Sequence, residues 1–161
     1  MNIAFIPARC GSKSIKFKNI KLFCNKPLIY WNIKALQESS MIDEVVVATD
    51  CNEIKKTVEA FNFKKVRVYE RDKLNAEDNS STEAVILEFL YKEKFNDKDK
   101  LILVQATSPL TETKDFEKAL IKMKSDKADS LLTCVRVKRF LWNENNEPIN
   151  YNFEKRPRRQ D

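Results

Sequence analysis

Histidine is absent from this 161-residue chain, and glycine occurs once, at Gly11. Without histidine, serine–histidine–aspartate and cysteine–histidine nucleophile systems are excluded, and a zinc site lacks its commonest partner. A Rossmann fingerprint needs three glycines and a Walker A loop two, so neither form of nucleotide cradle fits. Acidic residues are missing from the start of the chain, where no Asp or Glu precedes Glu38. No apolar run is long enough to cross a bilayer and the opening has no signal-peptide pattern, which predicts a cytoplasmic protein. Cys10, Cys24, Cys51 and Cys134 show no C-x-x-C spacing and read as small, reduced residues.

What is present is concentrated at the N-terminus. Ile3-Ala4-Phe5-Ile6 reads as a short buried strand, and Pro7 ends it because proline cannot donate to a sheet ladder. Arg9, Lys13, Lys16, Lys18 and Lys21 follow. A cationic loop directly after a buried strand lies where open α/β sheets bind ligands, outside the carboxyl ends of their strands. Gly11 and Ser12 permit close approach of backbone to a ligand, while arginine and lysine supply charge for an anion, most simply a polyphosphate. The alternative is a solvated basic surface. The net charge of +6 comes without a recognisable nucleic-acid module, so it points to an anionic small ligand and away from a nucleic-acid partner.

Strand and helix then alternate. The patterns predict a helix over 28–37, a β-branched strand over 44–49 and a helix over 52–61 capped by Asp50 or Asn52. A strand over 66–69 and a helix to about residue 94 follow, the helix capped by Ser80 or Ser81 with Glu83 completing a capping box. Next come a strand over 101–104, a helix to about residue 124 and a fifth strand over 130–137. Tyr30 and Trp31 read as helix-packing residues. This order predicts an α/β fold in three layers, a mostly parallel twisted sheet with helices on both faces. The expected division is an α/β domain over 1–137 and an aperiodic extension over 138–161. With histidine absent, any catalysis rests on positioning, cations and carboxylates.

Pro7-Ala8-Arg9-Cys10-Gly11-Ser12-Lys13-Ser14-Ile15, followed by Lys18-Asn19, resembles the opening loop of the acylneuraminate cytidylyltransferases. Further matches are Ala48-Thr49-Asp50, Arg71 with Ser80-Ser81-Thr82, Gln105-Ala106-Thr107-Ser108-Pro109-Leu110, and Arg158-Arg159-Gln160. The resemblance covers nearly the whole chain and implies a nucleotide-diphospho-sugar transferase-like fold. It also implies transfer of CMP from CTP to a nine-carbon α-keto acid sugar, with release of pyrophosphate.

By that resemblance Arg9, Ser12 and Lys13 hold the triphosphate, and Lys18 stabilises the charge that develops at the α-phosphate. Asn19, Arg71 and Ser81 hold the nucleotide, while Gln105 and Arg159 contact the sugar. Arg9 and Lys18 are the catalytic candidates. Asp50 reads as a structural residue. The extension is expected to pair copies into a homodimer. Mg2+ is the implied cofactor, with ligands expected beyond Asp161. The expectation is therefore a chain cut short at its C-terminal end, with two alternatives to full activity: a CTP-binding remnant without turnover, or an enzyme for legionaminic, pseudaminic or KDO acid sugars. The KDO group resembles R-L-P-G-K where this chain has Ser14 to Asn19, and fits less well. Sugar-phosphate nucleotidyltransferases opening with G-x-G-x-R-L are excluded by the single glycine.

Overall fold

The computed structural model describes all residues except 12–14, 73–74, 76–79, 94, 137–138 and 159–161. Two compact units divide the chain, Met1–Ala128 and Asp129–Asp161.

The first unit follows from four apolar runs. β1 (Asn2–Pro7), β4 (Glu44–Thr49), β5 (Val66–Glu70) and β6 (Lys100–Leu103) form one sheet in the order β5-β4-β1-β6. All three pairings are parallel, with Phe5 opposite Val46 and Leu103, and Val47 opposite Val68. Successive side chains of a strand point to opposite faces, and both faces here are apolar. Ala4, Ile6, Val45 and Val47 pack with Ile29, Ile33 and Leu36 of α1 (Leu28–Glu38), Ile54 and Val58 of α2 (Asn52–Glu59) and Leu120 of α4 (Thr113–Ser125). Ile3, Phe5, Val46, Ala48 and Tyr69 pack instead with Val85 and Phe89 of α3 (Thr82–Lys92). The expected three layers are borne out: three helices on one face and one on the other. The Phe89 ring lies 4.9 Å from Phe5 and 5.3 Å from Tyr69, centroid to centroid. Tyr30 stacks edge-on against Phe61 at 5.1 Å, and the Trp31 indole N–H donates to the Phe23 carbonyl at 3.0 Å, so both aromatics pack.

This order puts a topological switch at β1, whose neighbours β4 and β6 are reached by crossovers running in opposite directions along the sheet. Chains leaving adjacent strands in opposite directions leave a crevice at the carboxyl ends. Between β1 and α1 runs a small hairpin, β2 (Leu22–Phe23) with β3 (Lys26–Pro27). Its turn residues Cys24 and Asn25 both have positive φ, as a two-residue type I′ turn demands.

Three local expectations are corrected. The predicted strand over 130–137 does not form at its described residues 130–136; Leu132 and Val135 are more than 80% exposed there. A β-branched run becomes a strand only against a partner edge, and none of the described strands pairs with it. Cys51, not Asp50 or Asn52, is the N-cap of α2, without a side-chain cap. Ser81 caps α3, accepting from the Ala84 N–H at 3.0 Å, which leaves Glu83 one position too early to close a capping box. The reciprocal box occurs on α4, between Glu112 and Asp115.

The second unit is built around an antiparallel bridge between Trp142 and Pro148. Asn146, at φ 62°, turns the chain between them. Phe140 and Tyr151 lie 4.5 Å apart, and the Arg156 guanidinium sits 4.3 Å over the Phe140 ring. No helix among the described residues is long and apolar enough to cross a membrane.

Candidate functional site

The carboxyl ends of β1, β4 and β5 lie side by side, and the polar residues that follow them meet. The Ala8 N–H donates to the Ala48 carbonyl at 2.9 Å, continuing the β1–β4 ladder into the loop. One residue beyond Arg9, the Cys10 N–H donates to Asp50 Oδ1 at 3.1 Å. On the other side of β4, the Arg71 N–H donates to the Thr49 carbonyl at 3.3 Å. Asp50 therefore stands between the two arginines and ties down the start of the cationic loop, in keeping with its reading as a structural residue.

Arg71 is the unusual member. It is 8% exposed, and its Nε has no hydrogen-bond partner among the described residues. Burial pushes its guanidinium pKa down; the Asp50 and Glu88 carboxylates oppose that, while the positive charge of Arg9 adds to it. A buried donor left unmade costs about 1–3 kcal/mol, more when charged. Such a group persists where something else satisfies it, and an anion suits both the vacant donor and the two neighbouring cations.

The cationic loop returns to this point. Phe17, at φ 51°, occupies the left-handed region that a bulky side chain rarely enters, and its ring packs against the core beneath the sheet end. That reversal starts a 3-10 turn, Lys18–Ile20. Lys18 is partly exposed, and Asn19 is 7% exposed with its amide 3.5 Å from the Arg9 carbonyl. The two ends of the loop, Arg9 and Asn19, are thus brought together. A Cβ at Gly11 would meet no described atom within 4 Å, so packing within the described protein does not require glycine there.

Gln105 is exposed at the end of β6, on the opposite side of β1 from β4, one residue past Val104, whose N–H donates to the Phe5 carbonyl. The loop after it is anchored by buried Asn32 of α1, donating to the Ser108 carbonyl at 2.9 Å. Ser81 is exposed at the N-terminus of α3, its hydroxyl engaged as the cap. Ser12, Lys13 and Arg159 lie outside the described residues.

Two features escape the sequence. Glu88 of α3 accepts from the Tyr69 hydroxyl at 2.7 Å, the Asp72 N–H at 3.0 Å, the Asn75 amide at 2.6 Å and the Lys92 ammonium at 3.1 Å. Burial opposes its charge, but these donors outweigh it and hold the carboxyl at about 2. Burial, helped by Glu88, pushes the Tyr69 hydroxyl up to about 12. Glu88 thus pins the chain on both sides of Arg71. Its spacing to Lys92 is visible in the sequence, but that pattern usually marks a solvated helix face. The second feature corrects an expectation: Cys10 and Cys51 are not independent reduced residues but are joined as a disulfide, with Cα atoms 5.0 Å apart. Cys24 and Cys134 are free and exposed.

A family model described as cytidylyltransferase matches residues 3–156. The chain belongs to this cytidylyltransferase family. Its relatives include N-acylneuraminate cytidylyltransferase A of Danio rerio, 37% identical over 98% of this chain and 37% of that protein. Another is the pseudaminic acid cytidylyltransferase of Campylobacter jejuni, 32% identical over 91% of this chain and 65% of that protein. Among solved structures, CMP:2-keto-3-deoxy-manno-octonic acid synthetase complexed with CTP superposes with a TM-score of 0.64 at 27% identity, over 79% of this chain and 48% of that one. The chain thus spans about 37% of the length of the Danio rerio relative and 65% of the Campylobacter one. Within the cytidylyltransferase family the nucleotide-diphospho-sugar transferase-like architecture holds here: a mostly parallel sheet with helices on both faces.

Proposed function

We propose that this cytidylyltransferase-family chain binds CTP at the ends of β1, β4 and β5 and transfers CMP to a nine-carbon α-keto acid sugar of the sialic acid type, releasing pyrophosphate. The observation that carries the reading is Arg71, buried and without a partner at Nε among the described residues, near Arg9 and Asp50. A polyphosphate supplies the missing acceptor.

In this reading Arg9, with Ser12 and Lys13 of the loop, grips the triphosphate by charge-assisted hydrogen bonds. Asn19 and Arg71 hold the nucleotide from either side of the crevice, and Ser81 contributes at the start of α3. The sugar's anomeric hydroxyl attacks the α-phosphorus in line; pyrophosphate leaves on the opposite side. Lys18 neutralises the charge that builds on the α-phosphate oxygens. Nucleotidyl transfer of this kind draws most of its acceleration from orientation and charge, so a site without histidine suffices. Gln105, across β1, and Arg159 contact the acid sugar, the latter suited to a bidentate grip on its carboxylate. Pairing as a homodimer and a cytoplasmic location belong to the same proposal.

Mg2+ enters the proposal as the counter-ion of the CTP phosphates. Magnesium wants an octahedron of oxygens. Among the described residues, the group of candidate ligands in mutual reach is Cys10, Cys51 and Glu53, which is sulfur-rich and does not fit it. No step above is routed through the metal.

A second reading is CTP binding without turnover, in which the nucleotide fills the same crevice beside Arg71. Calorimetric titration with CTP, ATP, GTP and UTP in magnesium, followed by a pyrophosphate-release assay with sialic, pseudaminic, legionaminic and KDO sugars, separates the cases. Saturable preference for CTP with pyrophosphate release supports the enzyme. CTP binding without release supports the second reading. A folded chain that binds no nucleotide refutes both.

A further inference from the structure

Cys10 and Cys51 are 41 positions apart in sequence. They meet because β1 and β4 are adjacent parallel strands whose ends are in register, Pro7 opposite Ala48. Their 5.0 Å Cα separation lies inside the span that a disulfide bridges without backbone movement. Cys10 is partly exposed and directly follows Arg9, in the cationic loop; Cys51 is 3% exposed and is the N-cap of α2.

We propose that Cys10 and Cys51 form a reversible thiol–disulfide site that controls the cationic loop, exchanging with low-molecular-weight disulfides of the glutathione class. In the reduced chain the accessible Cys10 thiolate attacks glutathione disulfide, breaking its S–S bond, forming a mixed disulfide and expelling one glutathione thiol. The Cys51 thiolate then attacks the Cys10 sulfur, forming the intramolecular bond and expelling the second. Two protein thiols are oxidised, one glutathione disulfide is reduced, and the two protein thiol protons end on the two glutathione molecules. Reduction by excess glutathione runs the same steps backwards.

The bond has a consequence for binding. The loop's start is held by the Cys10 N–H to Asp50 bond and, through the side chain, by the disulfide; reduction removes the second hold. A loop ordered before its ligand arrives loses less freedom on binding. The oxidised chain therefore binds the nucleotide more tightly. This coupling rests on the proposed CTP reading; the exchange itself does not.

The test uses the whole chain with C24S and C134S, which remove the free cysteines. One sample is reduced, the other equilibrated with glutathione disulfide. Peptide mass mapping and CTP calorimetry are run on both. The expected result is a Cys10–Cys51 cross-linked peptide in the oxidised sample only, at least threefold tighter CTP binding by that sample, and loss of the difference in Cys51→Ser, which behaves as the reduced chain. Absence of the cross-linked peptide overturns the exchange site, even where CTP binds. Equal or weaker binding by the oxidised sample overturns the control. A cross-link with no CTP binding in either state overturns the nucleotide reading, and the control with it.

Discussion

Glu88→Gln is the sharpest perturbation that the structure offers, because one buried carboxylate gathers four donors around the segment that carries Arg71. The side chain is 6% exposed, so solvent screens these contacts little. Lowering a carboxyl from its ordinary 4.5 to about 2 corresponds to about 3 kcal/mol of folding stability at about 1.4 kcal/mol per pH unit. The sign follows from linkage. The folded-state value is depressed, so the contribution is fully present above about pH 5, and it falls away as pH drops from 4.5 toward 2. Glutamine keeps one acceptor but turns an NH2 group either toward the Asn75 amide or toward the Tyr69, Asp72 and Lys92 donors, and it does not titrate. We expect the variant to be about 2–3 kcal/mol less stable than the parent at pH 7. The gap should narrow by about 1.4 kcal/mol for each pH unit below 4.5. Urea unfolding followed by far-UV circular dichroism at pH 7, 5 and 3.5 measures it. A gap below 0.5 kcal/mol at pH 7, or one that stays constant down to pH 3.5, refutes the reasoning.

Two further outcomes are expected. Ser81→Ala removes the α3 cap bond to the Ala84 N–H and should lower stability by about 1 kcal/mol in the same assay; with the hydroxyl also at the nucleotide, CTP affinity falls by more than that destabilisation explains, whereas unchanged affinity restricts Ser81 to its capping role. Lys18→Ala removes a partly exposed cation and should leave the unfolding midpoint within about 0.5 kcal/mol, while pyrophosphate release from CTP drops at least a hundredfold. Near-parental turnover in that variant removes Lys18 from the mechanism.

The parts legible in sequence are those written in local pattern. Glu44 to Thr49 reads as a strand because a β-branched run without alternation suits burial on both faces, and it is the strand between β1 and β5. The cationic stretch after β1 reads as an anion loop because strand, proline and unopposed lysines are contiguous. The same logic misleads over 130–137, where the run has strand composition but pairs with no described strand; pairing is a property of two segments, and composition describes one.

What only tertiary structure decided are encounters between residues distant in sequence. Cys10 meets Cys51 because two strands are in register, and nothing about either cysteine's neighbours signals it. Arg71 becomes a buried cation, with no partner at Nε among the described residues, through its place at the end of β5 beside Asp50 and Glu88, although as a residue it looks like surface charge. Glu88, on a helix face that reads as solvated, is drawn inward by Tyr69, Asp72 and Asn75. The sequence by itself determined the alternating α/β order, the cationic loop and the motifs that mark the family, since these depend on short-range spacing. The nearness of Arg9 to Arg71, and the Cys10–Cys51 disulfide, depended on the order β5-β4-β1-β6, because sheet order determines which strand ends become neighbours.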